Sequence, residues 1–303
     1  MQFGFVSAIL AEKSYEEVID FAADQGFSCV EIMCWPVGKA ERRYAGVTHI
    51  DVDDLDDQKS AAILQYAIER KVSISSLGYY PNPLDADLEK RLTYIRHLEK
   101  MITAAARLGI NRITTFIGKD PQKTLDENFD LFVQVWKPLI QMAEENNVQV
   151  AIENCPMYFT MDQWPGGLNL ATTPAMWRRM FAAIPSPCFG LNYDPSHLVW
   201  QQMDYIRPIY EFKDRLFHVH FKDIKIYRDK LNDVGVLATP LEYMSPKLPG
   251  QGDVDWGQYV SALNDVRYQG PACIEVEDKA YEASTADCER ALLTSRNYLH
   301  QFI

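Results

Sequence analysis

Eight short β-rich runs, each separated from the next by a helical pattern, constrain this chain more than any other feature. They are QFGFVSA (2–8), SCVEIMC (28–34), KVSISSLG (71–78), RITTFIG (112–118), VQVAIEN (148–154), CFGLNYD (188–194), LFHVHFK (216–222) and ACIEVED (272–278). Amphipathic stretches lie between them, among them 15–26, 58–71, 88–109 and 127–147, and several close on a stop signal: Gly26, Gly109 and Asn147. Strand, helix and strand in repetition demand a parallel sheet with helical crossovers. Eight such units in 303 residues predict one (β/α)8 TIM barrel spanning 1–303. A doubly wound open sheet is the rival, but no GxGxxG follows the first run and no break in composition divides the chain.

The net charge of −12 lacks the basic stripe that nucleic acid requires. No apolar run reaches the ~18 residues of a membrane span. The beginning, MQFGFVSAILAEKSYEE, has no basic region ahead of a hydrophobic run, so no signal peptide is expected. Six cysteines without CxxC spacing read as reduced, buried thiols of a cytoplasmic protein.

A barrel of this kind carries its chemistry at the C-terminal ends of its strands. Here those ends are polar: Glu153-Asn154, Asn192-Tyr193-Asp194, His218-Val219-His220-Phe221-Lys222 and Glu275-Val276-Glu277-Asp278. Side chains alternate along a strand, so Glu153, Asp194, His220 and Glu275 are expected to share the barrel-facing side near its top. Asp194-Pro195-Ser196 is also a turn that caps a helix. His218 falls one layer deeper and reads as a satisfied or supporting histidine; Glu277 is the outer competitor of Glu275. Three carboxylates and an imidazole repel and desolvate one another unless a cation joins them. Mixed oxygen and nitrogen donors suit Mn²⁺, with Mg²⁺, Co²⁺, Fe²⁺ or Zn²⁺ as alternatives.

The segments AIEN, NYDPSH, HVHFKD, LPGQGDVDW (248–256) and IEVED, in that order, resemble the sugar isomerase/epimerase family with the xylose-isomerase-like barrel. Ketose 3-epimerases of the tagatose and psicose type and inosose dehydratases are its nearest-looking members. The resemblance runs over essentially the whole chain. It implies one divalent ion held by Glu153, Asp194, His220 and Glu275, with Glu153 and Glu275 as the acid/base pair and His197 touching substrate oxygens. Where the ketose epimerases carry an arginine beyond the strand-seven histidine, this chain has Ile226, leaving Lys222 and Arg228 as substitutes. Strands three and four end in LGYY and TFIG, without the histidines by which related apurinic-site endonucleases build three-zinc centres.

The resulting expectation is an isomerase or epimerase of carbohydrate metabolism acting on an unphosphorylated ketose or keto-sugar. Its two glutamates exchange protons with a metal-stabilised enediolate. The alternative is a dehydratase or lyase eliminating a β-substituent from an inosose or 3-keto-glycoside. Lys222 and Lys225 lack the Gly-rich cradle of a phosphate site, which favours a neutral sugar or polyol as the small-molecule partner. A homo-oligomer, dimer or tetramer, is compatible with the sequence, and neither nucleic acid nor a membrane is expected as a partner. Trp35, just past the second strand, is read as a lid-facing or core aromatic. His49, His97 and His300 are read as solvated. The long segment 224–256 reads as a lid over the active site, offering Lys225, Tyr227, Arg228, Tyr243, Asp253 and Trp256 to hydroxyls and sugar faces.

Overall fold

The computed structural model describes residues 1–38, 44–158 and 165–303. Eight parallel strands close on themselves: β1 (Gln2–Val6), β2 (Cys29–Met33), β3 (Ser73–Gly78), β4 (Arg112–Thr115), β5 (Gln149–Glu153), β6 (Phe189–Tyr193), β7 (Leu216–Phe221) and β10 (Pro271–Ile274). Closure is made where β1 pairs with β10, Gln2 opposite Pro271. Seven of the predicted runs contain their strands; the last, 272–278, is offset from its strand Pro271–Ile274, so Glu275 and Glu277 extend beyond the sheet.

The helices begin where the sequence can satisfy free N–H groups. Ser14 and Thr124 form capping boxes with Glu17 and Glu127 at the starts of α1 (Tyr15–Asp24) and α4 (Leu125–Glu145). Asp56 and Asp87 cap α2 (Asp57–Arg70) and α3 (Leu88–Arg107). The anticipated stops hold, with Gly26, Gly109 and Asn147 all at left-handed φ between 55° and 73°. Then follow α5 (Pro174–Ala183), the short α6 (Ser196–Val199) and α7 (Arg207–Glu211), and later α9 (Trp256–Asp265) and α10 (Thr285–Leu299).

Strand alternation divides the interior in two. One set of side chains, including Phe5, Val30, Ile32, Ile152, Leu191, Val219 and Ile274, packs outward with the helices in the main core. The other set fills the barrel itself: Val6, Cys29, Met33, Tyr80, Phe116 and Cys273, with polar Glu31, Asn192, His218 and His220 buried among them.

The segment 224–256 is not a plain loop. β8 (Asp223–Ile226) and β9 (Met244–Lys247) form an antiparallel hairpin that carries α8 (Arg228–Val234) between its strands. Ile224, Ile226, Leu231 and Tyr243 pack on Trp200 as a separate small core. Asp223 anchors the unit. Its Oδ1 accepts the N–H of Ile224 and Val254 at 2.8 and 3.0 Å, and its Oδ2 accepts Gly250, Gly252 and Trp256 Nε1 at 2.9, 3.2 and 2.9 Å. Burial pushes the Asp223 carboxyl up, and those donors pull it part of the way back. Gly252 is required at this point, because a Cβ there would run into the Asp223 carboxylate.

Two expectations change here. Trp256 and Asp253 belong to this anchor, Asp253 accepting the Ile226 N–H at 2.7 Å, and Tyr243 is buried in the small core. His97 is not solvated: it is 4 % exposed, its Nε2 bonds the Cys34 carbonyl at 2.8 Å, and its ring meets Tyr79 edge-on. A position on a long helix says nothing about which face the helix turns to its neighbours. His300 is exposed, and His49 is half-buried between Ser7 and the Leu10 carbonyl.

Candidate metal centre

Four strands deliver the expected donors to the mouth of the barrel. Glu153 is the last residue of β5, Asp194 follows β6, His220 lies in β7 and Glu275 follows β10. One ligating atom from each of these four lies within 4.8 Å of the others. His220 Nδ1 stands 3.3 Å from Glu275 Oε2 and 3.9 Å from Glu153 Oε1. His197, in the first turn after β6, brings Nε2 to 3.4 Å from Glu153 Oε1 and 3.3 Å from Asp194 Oδ2.

Four of these buried atoms make no hydrogen bond: Glu153 Oε1, Asp194 Oδ2, His197 Nε2 and His220 Nδ1. Buried polar atoms are nearly always paired, so a convergent group without hydrogen bonds is a strong signal. Carboxylate oxygens and an imidazole nitrogen are donors a divalent ion accepts at ~2.0–2.6 Å. The residues therefore fit such an ion, with Glu153, Asp194, His220 and Glu275 placed to hold it.

Lys222 enters the same group from the end of β7. Its ammonium is 2 % exposed and lies 2.6 Å from Glu275 Oε2, 3.0 Å from Asp194 Oδ2, 3.2 Å from Glu277 Oε2 and 3.6 Å from Glu153 Oε1. Burial opposes its charge, but Asp194, Glu275 and Glu277 hold its pKa well above the ordinary lysine value. Glu153 is likewise disfavoured by burial, yet Lys222, His197 and His220 draw it well below the usual carboxylate range. Four carboxylates thus converge on one ammonium in this pocket.

Below the mouth lies a supporting layer that sequence reasoning missed. Glu31, in the middle of β2, is fully buried and accepts from His220 Nε2 at 2.8 Å, from Thr114 Oγ1 at 2.7 Å and from the Tyr80 hydroxyl. Burial alone would raise its pKa, but the His220 and His218 imidazoles and the Tyr80 bond bring it down to about 2. His220 meets Glu31 through Nε2 and turns Nδ1 toward the mouth. A carboxylate behind a histidine in this way fixes the ring and its tautomer. Gly78 makes room for the arrangement, since a Cβ there would lie 2.8 Å from Glu31 Oε1. His218 occupies the deeper layer as anticipated, bonded to Asn192 Oδ1 at 2.9 Å and Ser75 Oγ at 3.2 Å. The available signal for Glu31 was a lone carboxylate within an otherwise apolar buried strand.

Glu153 and Glu275 open into a cavity whose wall also includes Trp35, Tyr44, Tyr80, Phe116, Cys155, Lys222 and Glu277. Trp35 is thus brought to the site. Arg228 is not: it is the exposed first residue of α8 and is absent from the cavity wall, as is every residue of 224–256.

Against known proteins, a family model described as xylose isomerase-like TIM barrel matches residues 19–296. An uncharacterized protein of Bacillus subtilis (strain 168), YfiH, is 25% identical, the alignment covering 100% of this chain and 99% of that one. An inosose dehydratase of Clostridium perfringens is 32% identical over 94 residues, 29% of this chain and 30% of its own length. The D-psicose 3-epimerase of Clostridium cellulolyticum H10, solved with D-tagatose, superimposes with a TM-score of 0.71 at 15% identity, covering 100% of this chain and 99% of that one. At that identity the likeness is one of fold.

Proposed function

The chain belongs to the xylose isomerase-like TIM-barrel family, and from that premise we propose a divalent-metal-dependent enzyme that moves a proton beside the carbonyl of an unphosphorylated keto-sugar or keto-polyol. One observation carries the reading: four bare, buried donor atoms at the mouth, three of them on the proposed metal ligands Glu153, Asp194 and His220. A divalent ion bound there supplies positive charge that acidifies the carbon next to a carbonyl and offsets the charge of an enediolate; Mn²⁺ suits the donor set best.

The rest falls to the chain's own residues. Glu153 and Glu275 stand at the ends of β5 and β10, separated around the barrel wall by β6 and β7. They approach a substrate from different directions, so one takes a proton from one face and the other returns it on the opposite face. That sequence is epimerization; return to the neighbouring carbon is aldose–ketose isomerization. His197 reaches hydroxyls next to the reacting carbons, and Trp35, Tyr80 and Phe116 offer ring faces to the C–H surface of the sugar. Among the described residues, Lys222 is the one cation in the cavity wall, and it is engaged with four carboxylates, which disfavours a phosphorylated substrate.

A second reading, dehydration of an inosose-like ketone, is favoured by the same Lys222. Its ammonium donates to Glu275 at 2.6 Å and is placed to protonate a departing hydroxyl. The likeness to inosose dehydratases supports it.

Incubating Mn²⁺-loaded protein in D₂O with ketoses, inososes and 3-keto-glycosides, followed by NMR, separates the readings. Deuterium at one carbon with inversion identifies the epimerase, and loss of water the dehydratase. Turnover that persists after chelation, or in Glu153→Gln and Glu275→Gln, refutes both.

A further inference from the structure

The strand ends bring together a second set of donors of different character. Cys155 follows Glu153 by two residues, and His197 faces both. One ligating atom each from Glu153, Cys155 and His197 lies within 4.8 Å of the others. Two of the atoms aimed at this point, Glu153 Oε1 and His197 Nε2, are buried, 3.4 Å apart and without a hydrogen bond. Cys155 is a free, half-buried thiol in the cavity wall. Its sulfur is fixed by the Met157 N–H, which points back to it at 3.4 Å from a turn that holds Met157 at φ 60°.

Donor chemistry separates this set from the first. Three carboxylates and an imidazole suit a hard or borderline ion, whereas thiolate, imidazole and carboxylate select Zn²⁺ and its thiophilic relatives over Mn²⁺ or Mg²⁺. Three protein donors with an open side toward a cavity also match a zinc site that keeps a position for an outside ligand. Charge permits two ions. The four carboxylates around Lys222 keep one negative charge after that ammonium and one divalent ion are counted. A thiolate adds another, and a second divalent ion neutralises the pair. Glu153 has two oxygens, and a shared carboxylate commonly bridges ions ~3.5–4 Å apart.

We propose that Glu153, Cys155 and His197 form a second cation position, selective for a thiophilic divalent ion such as Zn²⁺ and sharing Glu153 with the first. Occupancy holds Glu153 against two cations and withdraws His197 from substrate, so a thiophilic ion restrains proton transfer. The inference borrows Glu153 from the reading above and otherwise stands on Cys155 and His197.

The test uses the full chain loaded with Mn²⁺ and titrated with Cd²⁺ as the probe. Wild type is expected to take a second equivalent of metal and to develop sulfur-to-cadmium charge-transfer absorption. In Cys155→Ser that absorption and the second equivalent disappear while one Mn²⁺ still binds. In His197→Gln the absorption remains but Cd²⁺ binds more than about tenfold more weakly. No Cys155-dependent absorption, or a second equivalent that survives both variants, overturns the proposal. If wild type fails to hold Mn²⁺ yet shows the Cys155-dependent band, the first position is refuted and the second stands.

Discussion

Asp194 and Asp223 are both fully buried aspartates beyond the ends of neighbouring barrel strands, yet their oxygens are treated in opposite ways. Asp223 accepts five N–H groups, every one from the segment it anchors. Asp194 spends Oδ1 on the Ser196 N–H at 2.8 Å and leaves Oδ2 without a hydrogen bond, ion-paired with the Lys222 ammonium at 3.0 Å and facing the other donors. Lys222 and Asp223 are adjacent in sequence, so one peptide bond separates the two regimes. The lesson is that burial of a carboxylate does not mark a functional site. A saturated carboxylate is architecture; one left with a free oxygen among other free donors is prepared for a cation.

The largest effect falls on the saturated side. Asp223→Ala strands five donors around the hairpin and should cost about 4 kcal/mol of unfolding free energy, since each unsatisfied buried group costs about 1–3 kcal/mol and water recovers part of that. Chemical denaturation measures the loss, and the folded fraction should still bind one Mn²⁺ per chain. A variant that keeps its stability but loses its ion would reverse the two roles. Next comes Asp194→Asn, which should weaken Mn²⁺ by more than about 100-fold, beyond the effect of losing a supporting hydrogen bond, while the metal-free protein melts nearly as before. Calorimetry of binding and of unfolding on one preparation decides it; a large fall in melting temperature with Mn²⁺ binding intact breaks the distinction. The smallest effect sharpens it. Lys222→Met removes a cation that competes for the same carboxylates, so Mn²⁺ should bind about tenfold more tightly, a modest share of the repulsion between charges this close. The metal-free variant should melt lower, because its carboxylates lose their countercharge. Weaker Mn²⁺ binding instead would make Lys222 an organiser of the donors and not their competitor.

Much of this was legible beforehand, for identifiable reasons. A parallel barrel buries its strands on both faces, so the eight apolar runs stand out, and alternation along them placed Glu153, Asp194, His220 and Glu275 on one side. Pairing partners across the barrel leave no local mark. Glu31 meets His220 from the far side of the chain, and only its presence in CVEIM hinted that something charged waited opposite. The sulfur of Cys155 was read as one more buried thiol, although its two-residue offset from Glu153 puts it on the same face. The hairpin was hidden because DIKI and MSPK are short and the second contains a proline, and its length invited the lid reading. Of the polar groups assigned to it, Trp256 is held by Asp223, whose hydrogen bonds span some thirty positions of sequence, and Asp253 accepts from Ile226.

The seam between β1 and β10 has a consequence in time. The barrel strand Gln2–Val6, made before the other seven, finds one of its two neighbours only when Pro271–Ile274 has been synthesised. Until then the growing chain carries an open sheet with two unpaired edges, each able to recruit a strand from another nascent copy. All four proposed ligands of the first ion come at the ends of β5 and later barrel strands, Glu275 last. Metal capture therefore cannot guide the early stages of folding and instead reports that the circle has closed.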